Sequence, residues 1–177
     1  MIITAFAASN SSQSINRKLV SYAASLIQTT EVNLLDLHDY EMPLYSQDRE
    51  QACGVPDQAH RFLQQIAESD ALIISFAEHN GSYSAAYKNL FDWCSRVDQK
   101  VYQDKPMVLL STSPGPRGGT TVLSAAVNAM PYFGGVVKGQ FSLPSFHENF
   151  DVEKGRVKNE SLDAQLKGEV AKLTDDM

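Results

Sequence analysis

The residues of this chain best placed to do chemistry lie between Ala7 and Ile15, where four serines, one asparagine and one glutamine lead straight into a helical pattern. The start of a helix has backbone N–H groups without intrahelical acceptors and a partial positive charge, so hydroxyls gathered around it form a cradle for an anion. A monoester phosphate suits such a cradle. No lysine or arginine precedes Arg17, so binding there rests on neutral donors and the helix end. The same residues suit a second role, with Ser12 or Ser14 as an ordinary helix N-cap in a polar connection. The loop alone supports both. There is no GxxxxGK stretch and no GxGxxG after the first apolar run, which removes the nucleotide P-loop and the dinucleotide fingerprint. That run also ends without the acidic pair of a magnesium-dependent response regulator.

The elements that must position this loop alternate along the chain. Met1 to Ala7 is a short β-rich run, and Ile15, Leu19, Tyr22, Ala23 and Leu26 then recur at helical spacing. Glu31 to Asp36 reads as a second strand. A long connection with Pro43, Gly54 and Pro56 leads to a helix bearing Phe62, Leu63 and Ile66. Ala71 to Ala77 is the most nearly continuous apolar run, as expected of a central parallel strand covered on both faces. After the turn Glu78 to Ser82 come a helix over Ser84 to Val97, a strand over Pro106 to Thr112, a Gly/Pro loop over Ser113 to Gly119, a helix over Thr120 to Tyr132 and a fifth strand over Val136 to Leu143. Leu162, Leu166, Val170 and Leu173 mark a closing helix from Ser161 to Leu173. Five strands alternating with helices imply a parallel sheet in a three-layer α/β fold, doubly wound because right-handed crossovers place helices on both faces. The order 2-1-3-4-5 of the flavodoxin-like fold suits five strands, and it opens a ligand crevice between strands one and three. The loops after Ala7 and Ala77 flank that crevice.

Composition sets the outer limits. With 177 residues, 43% hydrophobic and 20% charged, the chain is expected to form one domain over residues 1–177 with a real core. A net charge of −6 with scattered basic residues argues against a nucleic-acid binder. No apolar run approaches the roughly 20 residues needed to cross a bilayer, and the first residues lack a signal-peptide pattern, so a cytoplasmic location is expected. Cys53 and Cys94 lack the spacing of a zinc or redox pair and read as free thiols, and His38, His60 and His147 have no metal-ligand spacing. No metal is expected.

Taken together, three loops resemble those of the NAD(P)H-dependent FMN reductases of flavodoxin fold, which include quinone, azo-dye and chromate reductases. Their first loop is similar to GSxRxxSxN, and Ala8 to Asn16 keeps Ser9, Ser14 and Asn16 while placing Ala8 for the glycine and Ser11 for the arginine. Their PEYNGSxxxxLKNxxDW stretch is matched at eight positions: Glu78, Asn80, Gly81, Ser82, Lys88, Asn89, Asp92 and Trp93. Ala77, His79 and Tyr87 depart from it. The stretch Ser113 to Gly119 matches SxGxxGG ahead of a helix, and the likeness fades after Leu143.

This resemblance implies an enzyme that holds FMN without a covalent bond, takes electrons from NADH or NADPH and delivers them to a quinone, azo compound, metal oxyanion or free flavin. It implies that Ser9, Ser11, Ser14, Ile15 and Asn16 hold the phosphate end. Ala77, Glu78, His79, Asn80 and Gly81 would border the flavin ring. Ser113, Pro114, Gly115 and Gly118 would approach the ring or ribityl chain, glycine permitting close backbone contact. Arg117 is read as a solvated loop residue within reach of a nucleotide. His79 is read as shaping the pocket, because hydride transfer from nicotinamide to flavin needs no protein acid. Two other functions remain compatible: a flavodoxin-like electron carrier, and a flavin-free scaffold motivated by Ala8 and Ser11.

One partner expectation follows from the helix after Ser84. Tyr83, Tyr87, Leu90, Cys94 and Val97 form its expected sheet-facing stripe, which leaves Phe91 and Trp93 on a second face. Large apolar residues there suggest a homodimer or homotetramer, unless the Met42 to Asp57 connection covers them.

Overall fold

The computed structural model describes residues 1–27 and 31–174. Its elements run β1 (Ile2–Ala8), α1 (Ile15–Ser25), β2 (Glu31–Leu35), α2 (Gln47–Cys53), α3 (Asp57–Ala67), β3 (Ala71–Phe76), α4 (Ala85–Val97), β4 (Lys105–Thr112), α5 (Thr120–Ala129), β5 (Gly135–Leu143), α6 (Phe146–Asn149), β6 (Phe150–Asp151), β7 (Arg156–Val157) and α7 (Glu160–Ala171). Strands β1 to β5 form one sheet of order β2-β1-β3-β4-β5, parallel at every pairing, as the α/β flavodoxin-like reading expects. Strand β3 is central and wholly buried.

The two-residue period of the strands sorts the core into two halves. Phe6, Leu72, Ile74, Phe76 and Leu109 face α3, α4 and α5, while Ile3, Ala5, Ile73, Val108 and Leu110 face α1 and α7. Each side chain of β3 thus has a helix layer to meet, which is why its sequence runs apolar without alternation. Leu166, Val170 and Leu173 are buried under the sheet as their spacing expects. No helix among the described residues is long and apolar enough to cross a membrane.

Several local expectations change. The helix expected to run to Tyr132 ends as α-helix at Ala129 and continues as a 3-10 turn, Met130–Phe133, with Pro131 inside it and Gly134 capping it at φ 75°. Strand β2 stops at Leu35 because Asp36 leaves the sheet to cap the 3-10 turn Leu37–Tyr40. The long connection contains α2, a helix with no buried residues of its own.

That connection also overturns the oligomer argument drawn from Trp93. The indole is only 1% exposed, its Nε1–H donates to the Pro43 carbonyl at 2.7 Å, and Tyr45 packs edge-on against it at 5.0 Å. Asn89 holds the same segment, its side chain accepting from the Tyr45 amide at 2.8 Å and donating to Met42 at 3.1 Å. Val97, expected to face the sheet, is 40% exposed at the end of α4. Cys94 is buried, and burial pushes its thiol up to about 12, so it is chemically inert.

Candidate functional site

The carboxyl ends of β1, β3 and β4 release three loops side by side, and the first is built almost entirely by its own serines. The Ser9 hydroxyl accepts from the Ser11 amide at 3.2 Å, the Ser11 hydroxyl from the Gln13 amide at 3.3 Å, and the Ser14 hydroxyl from the Arg17 amide at 3.1 Å. Ser14 is therefore the N-cap of α1. The capping role and the cradle coexist. Each of the three hydroxyls spends acceptor capacity on the backbone, and none donates to an acceptor among the described residues. The first-turn amides of Ile15 and Asn16 are likewise without acceptors among the described residues. Hydroxyl protons and amide protons therefore remain free at one helix end, which is a donor set for an anion.

Asn16 fixes that helix end to the sheet. Its buried side chain donates to the Thr112 carbonyl at 3.2 Å and accepts from the Thr112 amide at 3.0 Å and the Ser75 hydroxyl at 2.8 Å. One amide group thus ties the start of α1 to the ends of β3 and β4. Three of the side chain's hydrogen-bonding positions serve this bracket, and the Asn16 backbone N–H meets no acceptor among the described residues.

The second loop is a four-residue reversal closed by hydrogen bonds between His79 and Ser82 in both directions, at 2.9 and 3.1 Å. Asn80 and Gly81 take φ of 52° and 75°, the two left-handed positions that an Asn-Gly pair satisfies at low cost. Glu78 reaches across to the third loop, its carboxylate accepting from the Val122 amide at 2.9 Å in the first turn of α5. Behind the loop, the buried Ser84 hydroxyl caps α4 and donates to the Ala8 carbonyl at 2.8 Å.

The third loop is held against β5. The Gly118 carbonyl accepts from Ser111 and Ser142 at 2.8 and 3.0 Å, and the Gly115 carbonyl accepts from the Ser145 amide at 2.9 Å. A Cβ on Gly118 would stand 2.8 Å from the Leu143 carbonyl oxygen at φ +59°. Gly118 is required by this packing against β5.

A cavity of about 200 Å³ opens where the loops meet. Ten of the fourteen residues expected at the site line it: Ser9, Ser11, Ser14, Ile15 and Asn16 from the first loop, Ala77, Glu78 and His79 from the second, Ser113 and Pro114 from the third. Asn80 and Gly81 lie at the exposed tip of their turn, and Gly115 and Gly118 sit back toward β5, all four outside the lining. Gln13 and Thr112 line it without having been singled out. Thr112 was legible as the residue before Ser113; Gln13, one polar residue among six, carried no distinguishing signal.

Arg17 stands beside the cradle and is paired with Asp36. Burial works to raise the Asp36 carboxyl, but hydrogen bonds from the His38 amide and ring and from Arg17 outweigh it and hold it down to about 2. The same contact raises the His38 imidazole above its ordinary value. Arg117 is exposed and without an ion-pair partner among the described residues.

Comparison with known proteins adds the following. Residues 1–148 match the family model described as NADPH-dependent FMN reductase. The chain is 32% identical over 142 residues to a 2-hydroxy-1,4-benzoquinone reductase of a Burkholderia species, covering 79% of this chain and 75% of that one. It is 30% identical over 149 residues to an uncharacterised protein of Mycoplasma pneumoniae, covering 81% and 87%. The solved structure of the flavoenzyme NAD(P)H:(acceptor) oxidoreductase FerB from Paracoccus denitrificans superposes with a TM-score of 0.77 at 27% identity, covering 98% of this chain and 95% of that one.

Proposed function

Since this chain belongs to the NADPH-dependent FMN reductase family, an oxidoreductase family that uses FMN with NAD(P)H, we propose that it passes electrons from a nicotinamide nucleotide through bound FMN to a small quinone-type acceptor. FMN, when held here, supplies the redox chemistry by taking a hydride and releasing electrons to the acceptor. The observation that carries the reading is the donor set of the first loop: three serine hydroxyls already oriented by backbone N–H groups, with their own protons and the first-turn amides of α1 unspent. A phosphate monoester satisfies that set.

The chain's own residues would divide the work. Ser9, Ser11 and Ser14, with the Ile15 and Asn16 amides, would hold the phosphate. Ser11 occupies the place of the family's arginine, so the cradle depends on neutral donors. Ala77, Glu78 and His79 would border the ring on one side and Ser113 and Pro114 on the other. Glu78 would keep the second and third loops in register through α5, and Asn16 would keep the cradle in register with both. At about 200 Å³ the cavity is smaller than the roughly 300–1,000 Å³ of an enclosed ligand pocket, so the ring would lie between the second and third loops with one face open to a nucleotide.

The 2-hydroxy-1,4-benzoquinone reductase and the NAD(P)H:(acceptor) oxidoreductase among the similar proteins favour catalysis over a passive electron carrier. A homodimer is part of the proposal, supported by a groove of about 360 Å³ between α4 and the Met130–Phe133 turn that Tyr83, Phe91 and Phe133 line. Light scattering at micromolar concentration checks it.

The test is an anaerobic titration of FMN-reconstituted protein with NADH and NADPH. Loss of the yellow colour at one equivalent is expected. The companion variant is Ser14→Asp. Aspartate caps helices as well as serine does, so the fold stands while a carboxylate opposes the phosphate, and FMN affinity should fall by about tenfold or more. No FMN uptake by the wild-type protein at saturating supply refutes the reading.

A further inference from the structure

A carboxylate stands beside the cradle, where an anion site is least helped by one. Asp36 follows β2 and, together with Arg17, lines a crevice of about 10 Å³ that Ser9, Ser11 and Ser14 line as well. These are the three hydroxyls of the cradle. A negative charge so near a phosphate repels it unless a cation offsets it.

The carboxylate is fixed by two cationic side chains and a backbone amide. Arg17 Nη1 donates to its Oδ2, while Oδ1 accepts from the His38 amide at 3.0 Å and lies 2.7 Å from His38 Nδ1. Arg17 keeps its proton at any working pH, and Asp36, which titrates near 2, stays ionised, so the two charges cancel. His38 decides the remainder. Its hydrogen bond to Asp36 draws the imidazole upward, burial opposes this, and the charges of Asp36 and Glu41 and the Asn10 backbone of the first loop add to the rise. From α3, Arg61 reaches the same 3-10 turn, donating to the Asp39 carbonyl at 3.1 Å, and α4 meets the following segment through the neutral Asn89. A histidine so placed changes charge close to physiological pH.

We propose that Asp36 sets the affinity of the cradle: by cancelling Arg17 it leaves the protonation of His38 to decide whether the rim facing the phosphate is neutral or carries one positive charge. Ser11 gives this arrangement its weight, since a permanent cation at that position would mask it. The inference rests on the reading of the cradle as the FMN phosphate site. FMN is then held more tightly as pH falls through the His38 titration and released more readily as pH rises through it.

Calorimetric titration of FMN into cofactor-free protein tests this at low ionic strength, between about pH 6 and 9, for wild type, Asp36→Asn, His38→Gln and Arg17→Gln. Asparagine caps a turn as aspartate does. Asp36→Asn should bind FMN about tenfold more tightly and lose most of the pH dependence, although it is the less stable protein; a merely structural role would lower affinity along with stability. Arg17→Gln should bind about tenfold more weakly. His38→Gln should match wild type at about pH 9 and fall about threefold behind it at about pH 6. The second ionisation of the phosphate, near pH 6, is common to all four proteins and drops out of these ratios. Raised salt should shrink every difference. An Asp36→Asn protein that binds no more tightly than wild type, or a constant ratio of wild type to His38→Gln across the pH range, overturns the inference and leaves the cofactor reading intact. FMN uptake by none of the four proteins overturns both.

Discussion

Asn16→Ala isolates the bracket that joins the cradle to the sheet. The substitution strips partners from three buried groups at once: the Thr112 amide, the Thr112 carbonyl and the Ser75 hydroxyl. Asn16 itself is 3% exposed, and Ser75 and Thr112 are 0% and 1% exposed, so solvent does not replace what is lost. An unsatisfied buried group costs about 1–3 kcal/mol, so the three together should cost about 3–5 kcal/mol, a large part of a typical domain's stability. Urea denaturation of cofactor-free protein, followed through the single tryptophan, Trp93, measures it directly. FMN affinity of the folded fraction should fall about tenfold, because the first turn of α1 is no longer registered against β3 and β4. Asn16→Asp sharpens the reasoning. It keeps an acceptor for the Thr112 amide and Ser75 but sets a carboxylate oxygen against the Thr112 carbonyl, which disfavours the charged form. A carboxyl raised in the folded state destabilises above its folded pKa and ceases to do so below the unfolded value, so the deficit should close as pH falls toward about 4. An Asn16→Ala protein within about 0.5 kcal/mol of wild type would refute the bracket, and one that is unstable yet binds FMN normally would refute its positioning role.

Gly118→Ala should destabilise by about 2–4 kcal/mol, since its Cβ meets the Leu143 backbone at a left-handed φ, while Gly115→Ala, whose nearest neighbour is Ser113 Oγ at 4.0 Å, should be nearly neutral; comparable melting shifts for the two would contradict this. Asp36→Asn should cost about 1 kcal/mol at neutral pH, discounted for the half-open Arg17 pair. Because Asp36 titrates near 2 when folded, from 3.8, its contribution is present above pH 3.8 and lost as pH falls through about 2, so acid-unfolding curves of variant and wild type should converge there. Trp93→Phe deletes the hydrogen bond to Pro43 and should expose the Met42–Cys53 segment to limited proteolysis at a cost of about 1 kcal/mol; an unchanged cleavage pattern counts against that anchor.

The sequence by itself determined the alternation of strands and helices, the central place of Ala71–Phe76 and the three loops at the carboxyl edge. These are written in local variables: apolar period, the polar run before Ile15, the Asn80-Gly81 pair and the glycines ahead of α5. The strand order followed from the same pattern, because right-handed crossovers leave few ways to wind five parallel strands.

Only the tertiary structure decided what individual side chains do. Asn16 and Glu78 match the family at the right spacing, yet each is spent on a distant backbone, Thr112 in one case and Val122 in the other. Trp93 looked like an exposed second face until the Met42–Tyr45 segment closed over it. Gly118 belongs to the packing against β5, a strand that begins seventeen residues later in the alternation. The physical reason is common to all four: a hydrogen bond or a close contact between residues far apart in sequence depends on where the intervening chain returns. Periodicity reports which face a residue takes, and the fold supplies the atoms that face it.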